Sequence, residues 1–242
     1  MKVRFSSFFI ILILIGCAKQ ENASTDALSQ EPIKNASVAG CYKGQYDHPS
    51  SSEYILPFEA GKSFIVSQGN CGSYITHKPQ CRVLSNSGKK VDCGDLRYAY
   101  DFNMPIGTNI VAARGGEVVI AIDQFSDTNN VMEETNAISI LHNDGTVASY
   151  LHLTTGGALV NVGDIVSQGD VIALSGNSGY TENFPHLHFH VLAPPFDECS
   201  NGIYSGCKTV PITFRNAKPL EWPLIEKRTY KAVKDFDHKS ER

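Results

Sequence analysis

The chain has 242 residues and a formal net charge of −4, with 21 Lys and Arg against 25 Asp and Glu, which gives no basic surplus of the kind that nucleic acid selects. Apolar residues at 42% and charged residues at 19% are the balance of a globular chain and exclude wholesale disorder. No apolar run reaches the ~18 residues that a transmembrane helix needs.

The first element is an address. Lys2 and Arg4 precede the apolar run Phe5 to Ile15, which is too short to span a bilayer and ends in Leu14-Ile15-Gly16-Cys17. A charged start, a short apolar stretch and small residues before a cut are the marks of a secretory signal. The ending resembles the bacterial lipobox. That resemblance implies a signal at residues 1–16, cleavage before Cys17, and acylation of Cys17. Acyl chains contribute about 0.8 kcal/mol per buried methylene, so several of them hold a protein on a lipid bilayer. Ala18 in place of an acidic residue favours, by the same resemblance, the outer membrane, with a periplasm-facing membrane as the alternative address. Residues 17–40, rich in Ser, Asn, Gln, Glu and Ala, then read as a lipid-anchored flexible tether.

Setting Cys17 aside leaves six cysteines at 41, 71, 81, 93, 199 and 207. An even number in an exported chain points to disulfides, which sequence alone does not pair. Pairing of neighbours is favoured: Cys41–Cys71, Cys81–Cys93 and Cys199–Cys207. A cysteine-based zinc site is disfavoured because the chain has no CxxC pair.

From residue 54 onward, short apolar runs are broken by Gly, Asn, Asp and Pro. Strands are expected at 63–67, 109–113, 116–122, 137–141, 146–153, 159–162, 171–175 and 187–192. The Asp144-Gly145 pair between two of them is a hairpin signal. No amphipathic pattern sustains a helix longer than two turns. The fold class is mostly β, an antiparallel sheet domain over residues 41–226. A charged tail at 227–242 reads as a short helix or a frayed end.

Eight histidines lie at 48, 77, 142, 152, 186, 188, 190 and 238. The most informative stretch is His186-Leu187-His188-Phe189-His190. On a strand alternate side chains share a face about 6–7 Å apart. Three imidazoles therefore face one way, while Leu187, Phe189 and Val191 face an apolar side. Two such imidazoles can serve one metal site, one as a ligand and one as an acid–base group. His142, at a hairpin end, reads as a strand residue. His48 and His238 read as solvated, and Asp164 and Asp170 as turn formers. His190 shares the site face as a supporting residue, and Asn130 and Arg114 are candidate groove residues.

Four ordered motifs carry a resemblance. They are Tyr98 to Thr108 with Asp101, Pro105 and Gly107; Tyr150-Leu151-His152-Leu153; Val162-Gly163-Asp164-Ile165-Val166-Ser167-Gln168-Gly169; and Ser175-Gly176-Asn177-Ser178-Gly179 followed by Pro185-His186-Leu187-His188-Phe189. Together they resemble the lysostaphin/LytM-type zinc peptidases, from about Pro57 to Pro194. The resemblance implies a lysostaphin-like antiparallel β domain with loop insertions. It also implies one zinc ion bound by Asp101 and His188, with His152 and His186 catalytic.

The third ligand of that family is a histidine four residues before the aspartate. Here that position is Arg97, whose guanidinium has no lone pair to give. The segment Gln68 to His77 resembles a branch of the family that supplies the ligand from the preceding strand, which implies His77. The implied function is an exported zinc metalloendopeptidase of the cell envelope, cutting peptide bonds in the stem or cross-link of peptidoglycan. The alternative is a catalytically inactive domain of the same fold that binds wall or activates a hydrolase.

Overall fold

The computed structural model describes residues 46–72, 77, 81–84, 90–194 and 208–234, with the backbone alone described at 81–84 and 91–93. The lipobox, the tether and His238 lie outside the described residues. So do the side chains of every cysteine except Cys71, which is disulfide-bonded. The expected pairings therefore fall outside the described residues as well.

Apart from a 3-10 turn at Pro49–Ser51, the described elements are strands. They are β1 (Ser63–Gln68), β2 (Cys81–Leu84), β3 (Lys90–Gly94), β4 (Tyr100–Asn103), β5 (Asn109–Val111), β6 (Gly116–Ile122) and β7 (Ala137–Leu141). There follow β8 (Val147–Leu151), β9 (Leu153–Ala158), β10 (Ile165–Val166), β11 (Val171–Ser175), β12 (His186–Leu192), β13 (Ala217–Lys218) and β14 (Thr229–Ala232). Among these residues no helix is long and apolar enough to cross a membrane. The fold class is mostly β, as expected, and every pairing between named strands is antiparallel.

A nine-stranded sheet runs in the order β10-β6-β7-β8-β12-β4-β1-β14-β13; a three-stranded sheet runs β5-β11-β9, and β2 pairs with β3 alone. The main core lies between the larger two sheets. From the nine-stranded sheet come Tyr100, Phe102, Ile138, Ile140, Tyr150, Leu187 and Phe189, and from the small sheet Ile110, Leu153, Ile172 and Ala173. A fully buried Phe or Leu contributes about 1.5–3 kcal/mol, so this layer fixes which face of each strand is free for polar residues. In β4 the inward Tyr100 and Phe102 leave Asp101 on the opposite face. In β12 the inward Leu187, Phe189 and Val191 leave His186, His188 and His190 on it. The alternation expected for the histidine stretch holds.

The expected strands at 116–122, 137–141 and 171–175 have those bounds. The β7–β8 hairpin closes as anticipated, with His142 N–H donating to the Thr146 carbonyl and Gly145 N–H to the His142 carbonyl. Three expectations are corrected. Residues 159–162 are not a strand. The Gly163 N–H there donates to the Val118 carbonyl, and Asp164 accepts from the Asn161 N–H, so the apolar residues sit in a turn. Within the tail, Thr229–Ala232 form β14, whose Tyr230 and Ala232 reach the core while Thr229 and Lys231 are exposed; residues 235–242 lie outside the described residues. That two-residue alternation is a strand pattern the charged composition conceals. Finally, the expected strand 146–153 breaks at His152, which has φ +64°.

That break has a positional consequence. Leu151 packs in a small cluster with Leu96, Ala99, Met132 and Ala137 on the histidine side of the sheet, whereas Leu153 packs in the main core. Two residues apart on an unbroken strand, they would share a face. The left-handed residue between them reverses the alternation as the chain passes from the nine-stranded sheet to the small one. It also frees His152 from the core face that Tyr150 occupies. A left-handed non-glycine residue costs about 1–2 kcal/mol.

Candidate metal centre

The antiparallel register sets Asp101 of β4 directly opposite His188 of β12. His188 Nδ1 lies 2.8 Å from Asp101 Oδ1. His77 brings Nε2 to 3.3 Å from the same oxygen, and His186 Nε2 is 3.8 Å from it. The His152 ring centroid stands 4.7 Å from that of His186 and 5.9 Å from that of His188. The structure thus gathers all five residues that the resemblance singles out. One ligand atom each from His77, Asp101 and His188 lie within 4.8 Å of one another, and all three residues are buried.

Hydrogen bonds fix how each imidazole presents itself. A nitrogen facing a carbonyl oxygen must carry the proton, and in a neutral ring the other nitrogen then holds the lone pair. His77 Nδ1 donates to the Gly69 carbonyl at 3.0 Å, His152 Nδ1 to the Ser178 carbonyl at 2.7 Å, and His186 Nδ1 to the Phe184 carbonyl at 2.7 Å. All three therefore offer Nε2. His188 is turned the other way, with Nδ1 towards Asp101 and Nε2 lying 3.0 Å from His190 Nδ1.

Burial opposes the charge on Asp101, but His77, His186 and His188 around it outweigh that and hold its carboxyl well below the usual range. Burial first, then the neighbouring imidazoles, pushes His152 well below the ordinary histidine value. Burial also lowers His188 and, strongly, His190. Neutral imidazoles beside an ionised carboxylate are the protonation states a divalent cation requires.

His77 Nε2 supplies the test of fit. It is buried and has no hydrogen-bond partner, a costly state for a polar atom unless something else satisfies it. Two imidazoles and one carboxylate, with room for a fourth group, are the donor set of hydrolytic zinc sites. The residues present fit zinc.

Arg97, at the position where a family ligand is expected, does not join the cluster. Its Nε and Nη2 grip the Asp95 carboxylate at 2.8–3.0 Å. Arg114 holds Asp144 and Asn143 in the β7–β8 turn, at the other end of β8 from His152, so it lines no groove beside the histidines. Asn130 does act near the site: its Oδ1 accepts from Thr181 and Glu182 N–H and so props the loop that leads to His186. His142 sits one residue past β7 with Nδ1 on the Gly115 carbonyl. Asp164 and Asp170 cap turns, and His48 is exposed, as expected.

Sequence reasoning missed one contact to Asp101. Gln68 Nε2 donates to Oδ2 at 3.1 Å, leaving Oδ1 for the histidines. The bulge between Val66 and Gln68, opposite Asp101, places it there, and no local pattern announces a bulge. Gly179 is a second supporting position. At φ +79°, a Cβ there would lie 2.0 Å from Thr135 Oγ1 and 3.2 Å from His152 Nδ1.

A β-sheet scaffold carrying a buried carboxylate and four neighbouring imidazoles has the donor set of a metal centre. Residues 95–198 match the model of peptidase family M23. The chain is 36% identical over 104 residues to lysostaphin of Staphylococcus simulans, covering 43% of this chain and 19% of that protein. It is 38% identical over 92 residues to peptidoglycan DD-endopeptidase ShyA of Vibrio cholerae, covering 38% and 19%. Against the solved catalytic domain of Staphylococcus simulans lysostaphin it is 28% identical, covering 60% of this chain and 86% of that one, with a TM-score of 0.36. The matched segment spans about a fifth of the length of these curated relatives.

Proposed function

We propose that this chain is an exported, lipid-anchored zinc metallopeptidase that hydrolyses peptide bonds of peptidoglycan in the cell envelope. One observation carries the reading: His77 Nε2, Asp101 Oδ1 and His188 Nδ1 converge beside two further imidazoles, His152 and His186. The family match and the peptidoglycan DD-endopeptidase among the relatives support the substrate class.

Zinc would be held by His77, Asp101 and His188. When bound, it supplies Lewis-acid polarisation and a nucleophile at neutral pH. The chain's own part is proton handling and orientation. His152 and His186 each keep a proton on Nδ1 through a backbone carbonyl and present Nε2 as a base. Either ring can take the proton of the attacking water on Nε2 and, then protonated on both nitrogens, pass that same proton to the leaving amine; the other can steady the carbonyl oxygen only when its own Nε2 carries a proton. The pairing of Asp101 with three imidazoles keeps the carboxylate ionised for its role as ligand.

The test is digestion of purified muropeptides by the zinc-loaded full chain, read by mass. Cleaved stem or cross-link peptides, lost on His186→Ala, are expected. Intact muropeptides with one zinc bound per chain would sink the peptidase reading and leave a wall-binding module.

A further inference from the structure

Four imidazoles enter the cluster, and their outer nitrogens are treated differently. Those of His77, His152 and His186 are each pinned by a main-chain carbonyl. His188 is pinned by a side chain: its Nε2 lies 3.0 Å from Nδ1 of His190, ring centroids 5.2 Å apart and planes at 75°. Both rings are buried. Antiparallel pairing of β12 with β8 sets His190 opposite Ser149, and the Ser149 hydroxyl is committed to Ser139 at 3.0 Å. His190 Nε2 is buried with no hydrogen-bond partner. A polar ring kept in such a place, at the cost of an unsatisfied nitrogen, needs a compensating role.

We propose that His190 is the positioning residue of the centre: without metal the His188 Nδ1–H is donated to Asp101 Oδ1, and on zinc binding His190 Nδ1 accepts the Nε2–H of His188, which leaves the His188 lone pair on Nδ1 for the ion shared with Asp101 and His77. This inference rests on the zinc reading above. The physical reason is that a neutral imidazole has one proton. A ring whose outer nitrogen is left without an acceptor is free to place that proton on the inner nitrogen, where it blocks a metal. For the other three rings the backbone settles the matter. For His188 only the identity of residue 190 does, because β12 turns its main-chain groups to its neighbours β4 and β8 rather than to its own side chains.

The experiment compares zinc affinity of the full chain, measured by competition with a chromogenic chelator, for the native protein, His190→Leu and His190→Gln. Leu fills the space without an acceptor; Gln restores one through its carbonyl oxygen. A 10–100-fold loss of zinc affinity is expected for His190→Leu, the usual cost of losing such a partner, with His190→Gln within a few-fold of native. A His190→Leu chain that folds and binds zinc as tightly as native overturns the proposal, even if its metal-free melting temperature falls. Should His190→Leu fail to fold, nitrogen-15 histidine spectra of the native zinc-loaded chain decide. His188 protonated on Nε2, with coupling to His190 Nδ1, supports the proposal, and any other tautomer overturns it. A native chain that binds no zinc defeats the zinc reading and this one together, whereas native binding with an unaffected His190→Leu defeats this one alone.

Discussion

His77 reaches the carboxylate of Asp101 from a different stretch of chain, its Nε2 3.3 Å from Oδ1, while its Nδ1 is tied back to the Gly69 carbonyl. The carbonyl fixes the proton on Nδ1, which leaves the Nε2 lone pair and the Asp101 oxygen side by side as two donors for one cation.

Removing that imbalance of roles should be visible in metal content. His77→Ala is expected to bind zinc at least 10–100-fold more weakly and to lose the rise in melting temperature that zinc gives the native chain. A ligand at 100 times its dissociation constant adds about 2.7 kcal/mol to stability. Arg97→Ala should leave both unchanged, because Arg97 is engaged with Asp95 in a partly exposed pair of the kind that contributes about 0–1 kcal/mol. Zinc titrations followed by thermal melts check both. Undiminished binding in His77→Ala would show that the third ligand lies elsewhere.

His152 and His186 should separate from the ligands in the same assays. Their alanine variants are expected to retain about one zinc per chain and to lose peptide cleavage by about 10²–10⁴-fold, the range for a positioned acid or base. Metal analysis beside kcat on a defined muropeptide reads this. Loss of zinc in His152→Ala would instead make that ring a ligand.

Gly179→Ala should act on His152 through packing. A Cβ at φ +79° is strained, and it would collide with Thr135 Oγ1 while crowding His152 Nδ1. The expected cost is about 1–3 kcal/mol in urea unfolding, with cleavage reduced as the His152–Ser178 bond is displaced. A native urea midpoint would contradict the crowding at this corner.

Stability of the metal-free chain should fall as the solution is acidified from pH 7 to pH 5. Burial, then the nearby Arg114 charge, lowers His142, against its bond to the Gly115 carbonyl; burial also lowers His152, His188 and His190. In the unfolded chain these groups take up protons near pH 6.5. Below that value the unfolded state binds more protons than the folded one. The stability they contribute is therefore complete above about pH 6.5 and is lost as pH falls towards the depressed folded values. Melting temperatures across this interval test the sign, and a flat or rising series would refute it.

The local polar and apolar order of the chain was enough for much of the scaffold. Alternation in β12 told which residues face the core, and the Asp-Gly turn located the β7–β8 hairpin, because both depend on neighbours a few positions away. The resemblance of four motifs carried Asp101 and His188, and that of the segment Gln68 to His77 carried His77. β14 stayed hidden because its charged residues mask a two-residue period. The break at His152 stayed hidden because a single left-handed residue leaves no periodic trace.

What the linear chain determined, then, is the set of groups able to bind a cation and the face of the strand on which each would stand. Tertiary structure alone decided that Gln68 takes the spare carboxylate oxygen and that His190 Nδ1 meets His188 Nε2; it also brought His77, which the resemblance had implied, to Asp101 and left Arg97 on Asp95. Those choices rest on sheet register and on a bulge. Both are fixed by how the whole core packs, and a one-residue slip would turn every donor to the wrong face.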